Sequence, residues 1–253
     1  YDRMAAATIA RCGIIHLNTP VRGVTGDGRS LHLLDGTRHD FDHIISTMPL
    51  TSMARSLPDL PVAVTTALAN LQYRNTILVY LRVADPNLFP DQWLYVQSPD
   101  LRVGRITNFN NWATRPATPP GDTVLALEYW CDPGDTIWTT ADTDLAHLAS
   151  RELTATGLIG STAITGHHVV RLPKCYPVYR RGYRDHLATI IAHLRTHAPK
   201  VTAIGRYGAF KYNNQDHSIL MGILAAENLA ANTRHDLWSI NTDYTDYQEE
   251  IGE

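Results

Sequence analysis

The stretch GRYGAFKYNNQDHSILMGILAAENLA, Gly205–Ala230, follows the short apolar run VTAI at 201–204 and decides how the rest of the chain is read. An apolar strand, a polar turn with two glycines and then a greasy helix is the layout that sets helix N-terminal amides beside a bound anion or an electron-rich ring. Gly205 and Gly208 let backbone come close to a ligand, and Gly208 is expected to take a positive φ. Asn214 or Asp216 can cap the helix, whose buried side is expected to carry Ile219, Leu220, Ile223 and Leu224. A cap needs one polar residue, yet the turn holds Asn213, Asn214, Gln215, Asp216, His217 and Ser218 in a row. That surplus points to a ligand site more than to a well-capped core helix.

The bulk properties narrow the ligand. The chain has 253 residues, 44% apolar and 19% charged, enough to bury a core as one large domain or two smaller ones. A net charge of -3 gives no reason to expect nucleic acid. Cys12, Cys131 and Cys175 are widely spaced, with no C-x-x-C, so a disulfide framework or zinc knuckle is not expected and a reducing cytosol fits. No run approaches the ~20 apolar residues of a membrane span. The chain opens at Tyr1 with no signal-peptide pattern, and the expectation is the back portion of a longer protein.

Along the chain, residues 1–11 read as the end of a helix stopped by Gly13. Short strands follow: Ile14, Ile15 and Leu17 in one, Val21 and Val24 in another, and Leu31, Leu33 and Leu34 beyond a tight Gly26-Asp27-Gly28 turn. Ile44 and Ile45 form a buried strand ended by Pro49. A helical stretch broken by Pro58 and Pro61 gives way to strand near Tyr73, where β-branched and aromatic residues take over. DQWLYVQSP (91–99), LRVGRITNFNNW (101–112) and TVLALEYWC (123–131) read as strands, with a loop at ATPPGD (117–122). Asp142 can cap a helix carrying Leu145, Leu148, Ala149 and Leu153, ended by Gly157. HHVVRLPKCYPVY (167–179) reads as strand then loop, and YRDHLATIIAHLRTHA (183–198) as a second amphipathic helix stopped by Pro199. The last residues become acidic and lose periodicity, as a surface tail would. The mixture is α+β.

Other residues invite chemistry with less force. Arg105 sits mid-strand, where its planar guanidinium suits a phosphate or carboxylate clamp, or an edge-strand arginine paired with an acid. Tyr176, Tyr179 and Tyr183, around the stiff Pro177, can offer hydroxyls to phosphate oxygens or simply cover apolar surface. His193 and His197 have metal-ligand spacing on one helix, but HLRTH lacks the glutamate of H-E-x-x-H and no third ligand is evident, so a solvated face is the better reading. His167-His168 reads as a loop pair. The chain has no G-x-S-x-G elbow and no P-loop, and GVTGDG is a hairpin turn because no helix follows it.

The Gly205–Asn228 stretch, GRYGAFKYNNQDHSILMGILAAEN, resembles the C-terminal signature of the UDP-galactopyranose mutase-like flavoproteins, within the wider superfamily of FAD-dependent oxidoreductases that includes amine oxidases and protoporphyrinogen oxidase. The similarity keeps its order over most of the chain. GIIHLNTPVRGV and DHIISTMPL look like the second half of an FAD domain, and LQYRNTILVYL, WLYVQSP, RVGRITNFNNW, LEYWC and YPVYRRGY follow as in a substrate domain. The resemblance implies an α+β fold, the C-terminal part of a two-domain FAD/NAD(P)-binding flavoprotein. Residues 1–55 would be the second half of the FAD-binding domain, a β-meander, and residues 56–185 a substrate domain with an antiparallel sheet. Residues 186–235 would return to the FAD domain, and 236–253 would form an acidic tail.

The same resemblance implies FAD, reduced for mutase chemistry, beside Val21, Gly205, Arg206, Gly208, Asn214, Gln215 and Asp216. It implies the diphosphate of a nucleotide sugar at Arg105, Tyr176 and Tyr212. It implies no catalytic side chain, the flavin N5 being the reactive atom. Two alternatives stand: an FAD-dependent oxidoreductase or desaturase on another substrate, with an apolar cavity at Arg105, Tyr176 and Tyr212, or a truncated, cofactor-free binding protein. The sequence holds no G-x-G-x-x-G of a Rossmann unit, so an N-terminal Rossmann segment is expected as a missing partner. A homodimer, a cytoplasmic location and a role in cell-envelope carbohydrate metabolism are further expectations.

Overall fold

The computed structural model of the chain describes residues 1–112, 121–231 and 233–240. In chain order the elements are α1 (Asp2–Ala10), β1 (Val21–Val24), β2 (Ser30–Leu33), β3 (Arg38–Asp40), β4 (Ile44–Ser46), α2 (Leu50–Arg55), α3 (Val62–Asn70) and β5 (Gln72–Val83). Then come β6 (Trp93–Tyr95), β7 (Arg105–Asn108), a 3-10 turn (Phe109–Asn111), β8 (Thr123–Cys131), α4 (Thr136–Thr139), α5 (Asp142–Ala155) and β9 (Ile164–Val178). The last are α6 (Tyr183–His197), β10 (Val201–Ala203), α7 (Gly205–Gly208) and α8 (Gln215–Ala230). The fold is α+β, in two compact units: residues 1–71 with the chain from 179 onward, and residues 72–178.

The first unit holds a β1-β2-β3 meander and a two-stranded parallel pair, β4 with β10. Gly28, at φ 75°, closes the β1–β2 turn, its N–H donating to Thr25 O at 2.8 Å. Ile14, Ile15 and Leu17 do not form the expected strand. They are exposed coil, because no strand among the described residues lies alongside to take their backbone hydrogen bonds. Ile45 of β4 is likewise exposed rather than buried. The expected acidic tail begins differently too. Leu237 is buried with Ile204, Ala209, Met221 and Ala225, and Trp238 and Ile240 pack beside them. Lys211 Nζ donates to the carbonyls of Trp238 and Ile240, which fastens this segment down. Residues 241–253 of that tail, and most of the ATPPGD loop, lie outside the described residues.

The second unit is one antiparallel sheet of order β6-β7-β8-β5-β9 with α5 across it. Strict alternation puts Ile77, Val79, Leu81 and Val83 of β5 on one face, where they meet Leu125, Leu127 and Tyr129 of β8 and Leu145, Ala149 and Leu153 of α5. Burying such side chains stabilises by roughly 1.5–3 kcal/mol each. Asp142 is not the cap of α5. Ala141 occupies that position, and the Asp142 carboxylate accepts from Arg171 Nη1 at 2.6 Å. β9 runs unbroken through Pro173 and Pro177, where a loop is expected from the sequence, because it is an edge strand with one side free of ladder bonds. Its register slips opposite Asn75, where Lys174 adopts φ 54° and donates its N–H to Asn75 Oδ1 at 2.9 Å.

Candidate functional site

In the first unit the polar turn is built on the parallel pair. β10 ends at Ala203, and Ile204 N–H donates to Ser46 O at the end of β4, at 3.0 Å. Gly205 follows at φ 77°, buried, with nothing within 4 Å of where a β-carbon would stand. Only glycine adopts that conformation freely, and the space beside it is open. Gly208 differs from the expectation. Its φ is not positive, and a β-carbon there would lie 2.7 Å from Ser46 O and 3.4 Å from Thr47 Cα. Gly208 therefore lets α7 sit against the 46–48 backbone, and the ligand-facing glycine of the pair is Gly205.

Beyond α7 the chain turns through Phe210, buried at φ 50°, to Asn214 at the N-cap of α8. Neither proposed capping side chain acts as a cap. Asn214 makes no cap bond, and Asp216 Oδ1 lies 2.8 Å from His217 Nδ1. The first-turn amides of α8 are therefore left without a side-chain cap, which keeps a positive helix end available. Gln215 Nε2 bonds Tyr1 Oη. Asn213 is buried, and its Oδ1 has no hydrogen-bond partner among the described residues, while Nδ2 reaches Met221 Sδ at 3.1 Å. Arg206 braces this loop: Nη1 donates to Asn213 O at 2.8 Å, and Cζ stands 4.2 Å from the Tyr212 ring centroid. Val21 starts β1, half-buried, opposite Leu33 in the meander.

The buried face of α8 is not the one its spacing predicts. Its buried residues are His217, Met221 and Ala225, with Leu224 partly buried, whereas Ile219, Leu220 and Ile223 are 53%, 43% and 51% exposed. The helix presents its apolar row outward. The tyrosines divide as well. Tyr179 stacks on Tyr183 at 4.4 Å, both rings lie against Phe210, and Tyr179 Oη accepts from Tyr212 N at 2.7 Å. They support the loop from beneath. His193 and His197 stack at 4.3 Å, with His193 buried rather than on a solvated face.

In the second unit, side chains of paired antiparallel residues share a face. The register aligns Tyr95, Arg105, Glu128 and Leu78 in one row, and Trp93, Thr107, Ala126 and Tyr80 in the next, opposite the α5 core. Arg105 is thus on the face away from α5, its side chain 28% exposed, but it is not a lone cation. Its Nε and Nη2 both reach Glu128 Oε1, at 2.7 and 2.6 Å, and Glu128 is only 6% exposed. Burial pulls the Arg105 pKa down, and the Glu128 bonds and charge more than offset this, so it stands above its ordinary value. Burial and then the Glu128 charge raise Tyr80. Tyr176 lies past the Asn75 bulge, opposite Arg74.

Two acids in this unit carry structure that sequence reasoning missed. Glu128 is a single carboxylate inside the apolar run LALEYWC, and that isolation was its only signal. Glu152 projects from α5 to accept from the N–H groups of Arg102 and Val103 at 2.8 and 3.0 Å and from Tyr129 Oη at 2.9 Å. It fixes the backbone two residues ahead of Arg105. Burial, then the Glu152 charge and hydrogen bond, drive the Tyr129 phenol far upward, so it stays a donor.

No helix among the described residues is long and apolar enough to cross a membrane. No curated protein matches the chain. Solved structures do. Reduced UDP-galactopyranose mutase superposes with a TM-score of 0.69 at 22% identity, over 84% of this chain and 46% of that one. A putrescine oxidase double mutant superposes with a TM-score of 0.64 at 16% identity, over 90% and 52%. A protein from Exiguobacterium sp. 255-15 assigned as a protoporphyrinogen oxidase gives 0.62 at 19% identity, over 85% and 48%. The chain spans about half the length of these structures. Residues 1–228 match the model of the flavin containing amine oxidoreductase family, whose cofactor is FAD, and the chain belongs to that family.

Proposed function

We propose that this family member is the C-terminal part of an FAD-dependent oxidoreductase, with FAD against the Gly205–Asp216 turn and a small-molecule substrate against the face of the five-stranded sheet away from α5. The observation that carries the cofactor reading is Gly205: buried, at φ 77°, with open space where any other residue would put a side chain. The N-terminus of α8, without a side-chain cap, and the buried Asn213 Oδ1, without a hydrogen-bond partner among the described residues, fit the same group, since a cofactor with phosphate, hydroxyl and ring N–H groups can satisfy both. Gly205, Arg206, Asn213, Asn214, Gln215 and Asp216 would hold it, and Val21 would meet its adenine end. Bound FAD supplies the two-electron acceptor.

The chain's own residues bind and orient. The α8 amides favour negative charge near the helix N-terminus. Arg206, bonded to Asn213 O and stacked on Tyr212, keeps the turn in one shape. The outward apolar row of α8 and the short β4–β10 pair are proposed to lie against the missing Rossmann segment, since a parallel pair this small is not stable alone. The oxidoreductase reading is preferred because Glu128 neutralises Arg105. A second reading, mutase chemistry on a nucleotide sugar, draws on the partly exposed Arg105 guanidinium standing 5.9 Å from the Tyr95 ring.

The test is the visible spectrum of the protein purified together with a Rossmann segment, followed by two assays. Flavin bands, with substrate-dependent bleaching and no ring-size exchange of UDP-galactose, are expected. Flavin bands with exchange only in the reduced form would transfer the assignment to the mutase. No flavin at all would end the cofactor reading.

A further inference from the structure

Away from the polar turn, the first unit holds a cleft beside β10. Its volume is about 300 Å³, at the small end of the range for small-molecule sites, and its lining comes from residues 191–203 and 228–238 alone. None of the Gly205–Asp216 turn lines it, so the cleft is separate from the proposed cofactor site. Val201 and Ala203 of β10, Leu194 of α6, and Leu237 and Trp238 of the segment after α8 give it an apolar wall. That wall is preformed, because Leu237 is buried with Ile204 and Met221, and Lys211 Nζ donates to Trp238 O. Most polar groups around the cleft are engaged within the chain. Thr202 Oγ1 lies 2.8 Å from His43 Nε2, and His235 Nε2 lies 2.9 Å from Glu227 Oε2. Asn228 accepts from His235 N–H at 2.7 Å and donates to His235 O at 2.9 Å, while Asp236 accepts from Trp238 N–H at 3.1 Å. Arg195, exposed in the last turn of α6, differs. Its guanidinium lines the cleft and makes no hydrogen bond or ion pair among the described residues, which leaves a planar set of five N–H donors beside an apolar wall.

We infer that this cleft binds a small organic monoanion with a flat apolar body, the chemistry of an aryl carboxylate. The body lies against Leu194, Val201 and Trp238, and the carboxylate takes the Arg195 guanidinium, whose fork matches two carboxylate oxygens. A neutral ring of the same shape leaves the guanidinium unused, and a bare phosphate leaves the apolar wall unused. The Asp236 carboxylate, also in the lining, adds a cost for every further negative charge and so favours a single one. The inference goes beyond the flavin reading and does not rest on it.

The experiment follows the indole N–H resonance of Trp238 in the whole chain, identified by its loss in Trp238→Phe, while 2-naphthoate, 2-naphthylmethanol or inorganic phosphate is titrated in. Naphthoate is expected to shift the resonance saturably and phosphate to leave it unmoved over the same range. The alcohol is expected to bind at least about tenfold more weakly than the acid, since it forgoes the hydrogen bonds to a charged group. Arg195→Met, a change at an exposed side chain, is expected to bring naphthoate down to the affinity of the alcohol and to leave the alcohol where it was. If that variant does not fold, the ratio of acid to alcohol in the wild type decides. Equal affinity for acid and alcohol, a phosphate shift as large as that of naphthoate, no response to naphthoate, or an undiminished preference for the acid in Arg195→Met would overturn the inference. Because the cleft shares no residue with the Gly205–Asp216 turn, a failure here leaves the flavin spectrum, and the reading it tests, untouched.

Discussion

Gly205 and Gly208 stand three residues apart in one short turn, and the structure assigns them opposite liabilities. An alanine β-carbon at 208 would be 2.7 Å from Ser46 O and 3.4 Å from Thr47 Cα, and neither is the end of a flexible side chain. To accept it, α7 must lift from the end of β4, next to the Ile204 N–H bond to Ser46 O. Overpacking of this kind costs about 1–3 kcal/mol, and the smaller entropy of the unfolded alanine chain returns about 0.4–1 kcal/mol. The net is about 1–2 kcal/mol, or a Tm lowered by roughly 3–8 °C at this chain length. At 205 the alanine meets no atom within 4 Å, and the penalty comes from φ 77° alone. That penalty is about 1–2 kcal/mol for a left-handed residue, less the same entropic return, so the Tm should fall by no more than about 6 °C. Thermal unfolding of the 253-residue chain, followed by circular dichroism, compares them directly. The flavin-loaded protein gives the complement, since Gly205→Ala should lose flavin out of proportion to its small loss of stability. A Gly208→Ala melt equal to wild type, or a Gly205→Ala melt lower than that of Gly208→Ala, would refute the assignment.

Glu152→Ala strands the amides of Arg102 and Val103 and the Tyr129 hydroxyl, at about 1 kcal/mol or more each, for a total near 3 kcal/mol. Tyr129→Phe removes one of those bonds and should cost about 1 kcal/mol, so equal urea midpoints for the two variants would contradict the network. His43 and His193 both have pKa values below the ordinary 6.5, through burial first and then through Lys200 and His197 respectively. The unfolded chain therefore binds protons that the folded chain resists, so stability is full above about pH 6.5 and falls as the pH drops through that value toward the lowered folded ones. The Tm should decline between roughly pH 7 and 5.5, and the slope should flatten in the doubly substituted His43→Gln, His193→Gln chain. A wild-type Tm that holds steady across that range would argue against it.

The strands and helices were legible because their periodicity is local. Ile77, Val79, Leu81 and Val83 alternate in the sequence as they do in the sheet, and Leu145, Ala149 and Leu153 recur as they do on α5. What was not legible depends on partners distant in sequence. The row Ile219, Leu220 and Ile223 reads as a buried face from its spacing, but which side of α8 is covered depends on what packs there, and within this chain Met221 and Ala225 face the core. Gly205 and Gly208 look equivalent as letters, and only the nearness of Ser46, about 160 residues earlier in the chain, separates them. Arg105 shows the same limit at the point where chemistry is decided. Its charge was visible and suggested an anion clamp or an arginine paired with an acid, while the partner itself was a single glutamate in an apolar strand. At an effective dielectric of ~20, a unit anion at ~4 Å from the guanidinium gains about 4 kcal/mol, and a carboxylate ~6 Å from that anion takes back nearly 3 kcal/mol of it. One cross-strand neighbour thus removes most of the reason for a diphosphate to stop at Arg105. Register, which a single sequence does not display, is what tells the anion clamp from the acid-paired arginine, the two readings that Arg105 allows from its sequence.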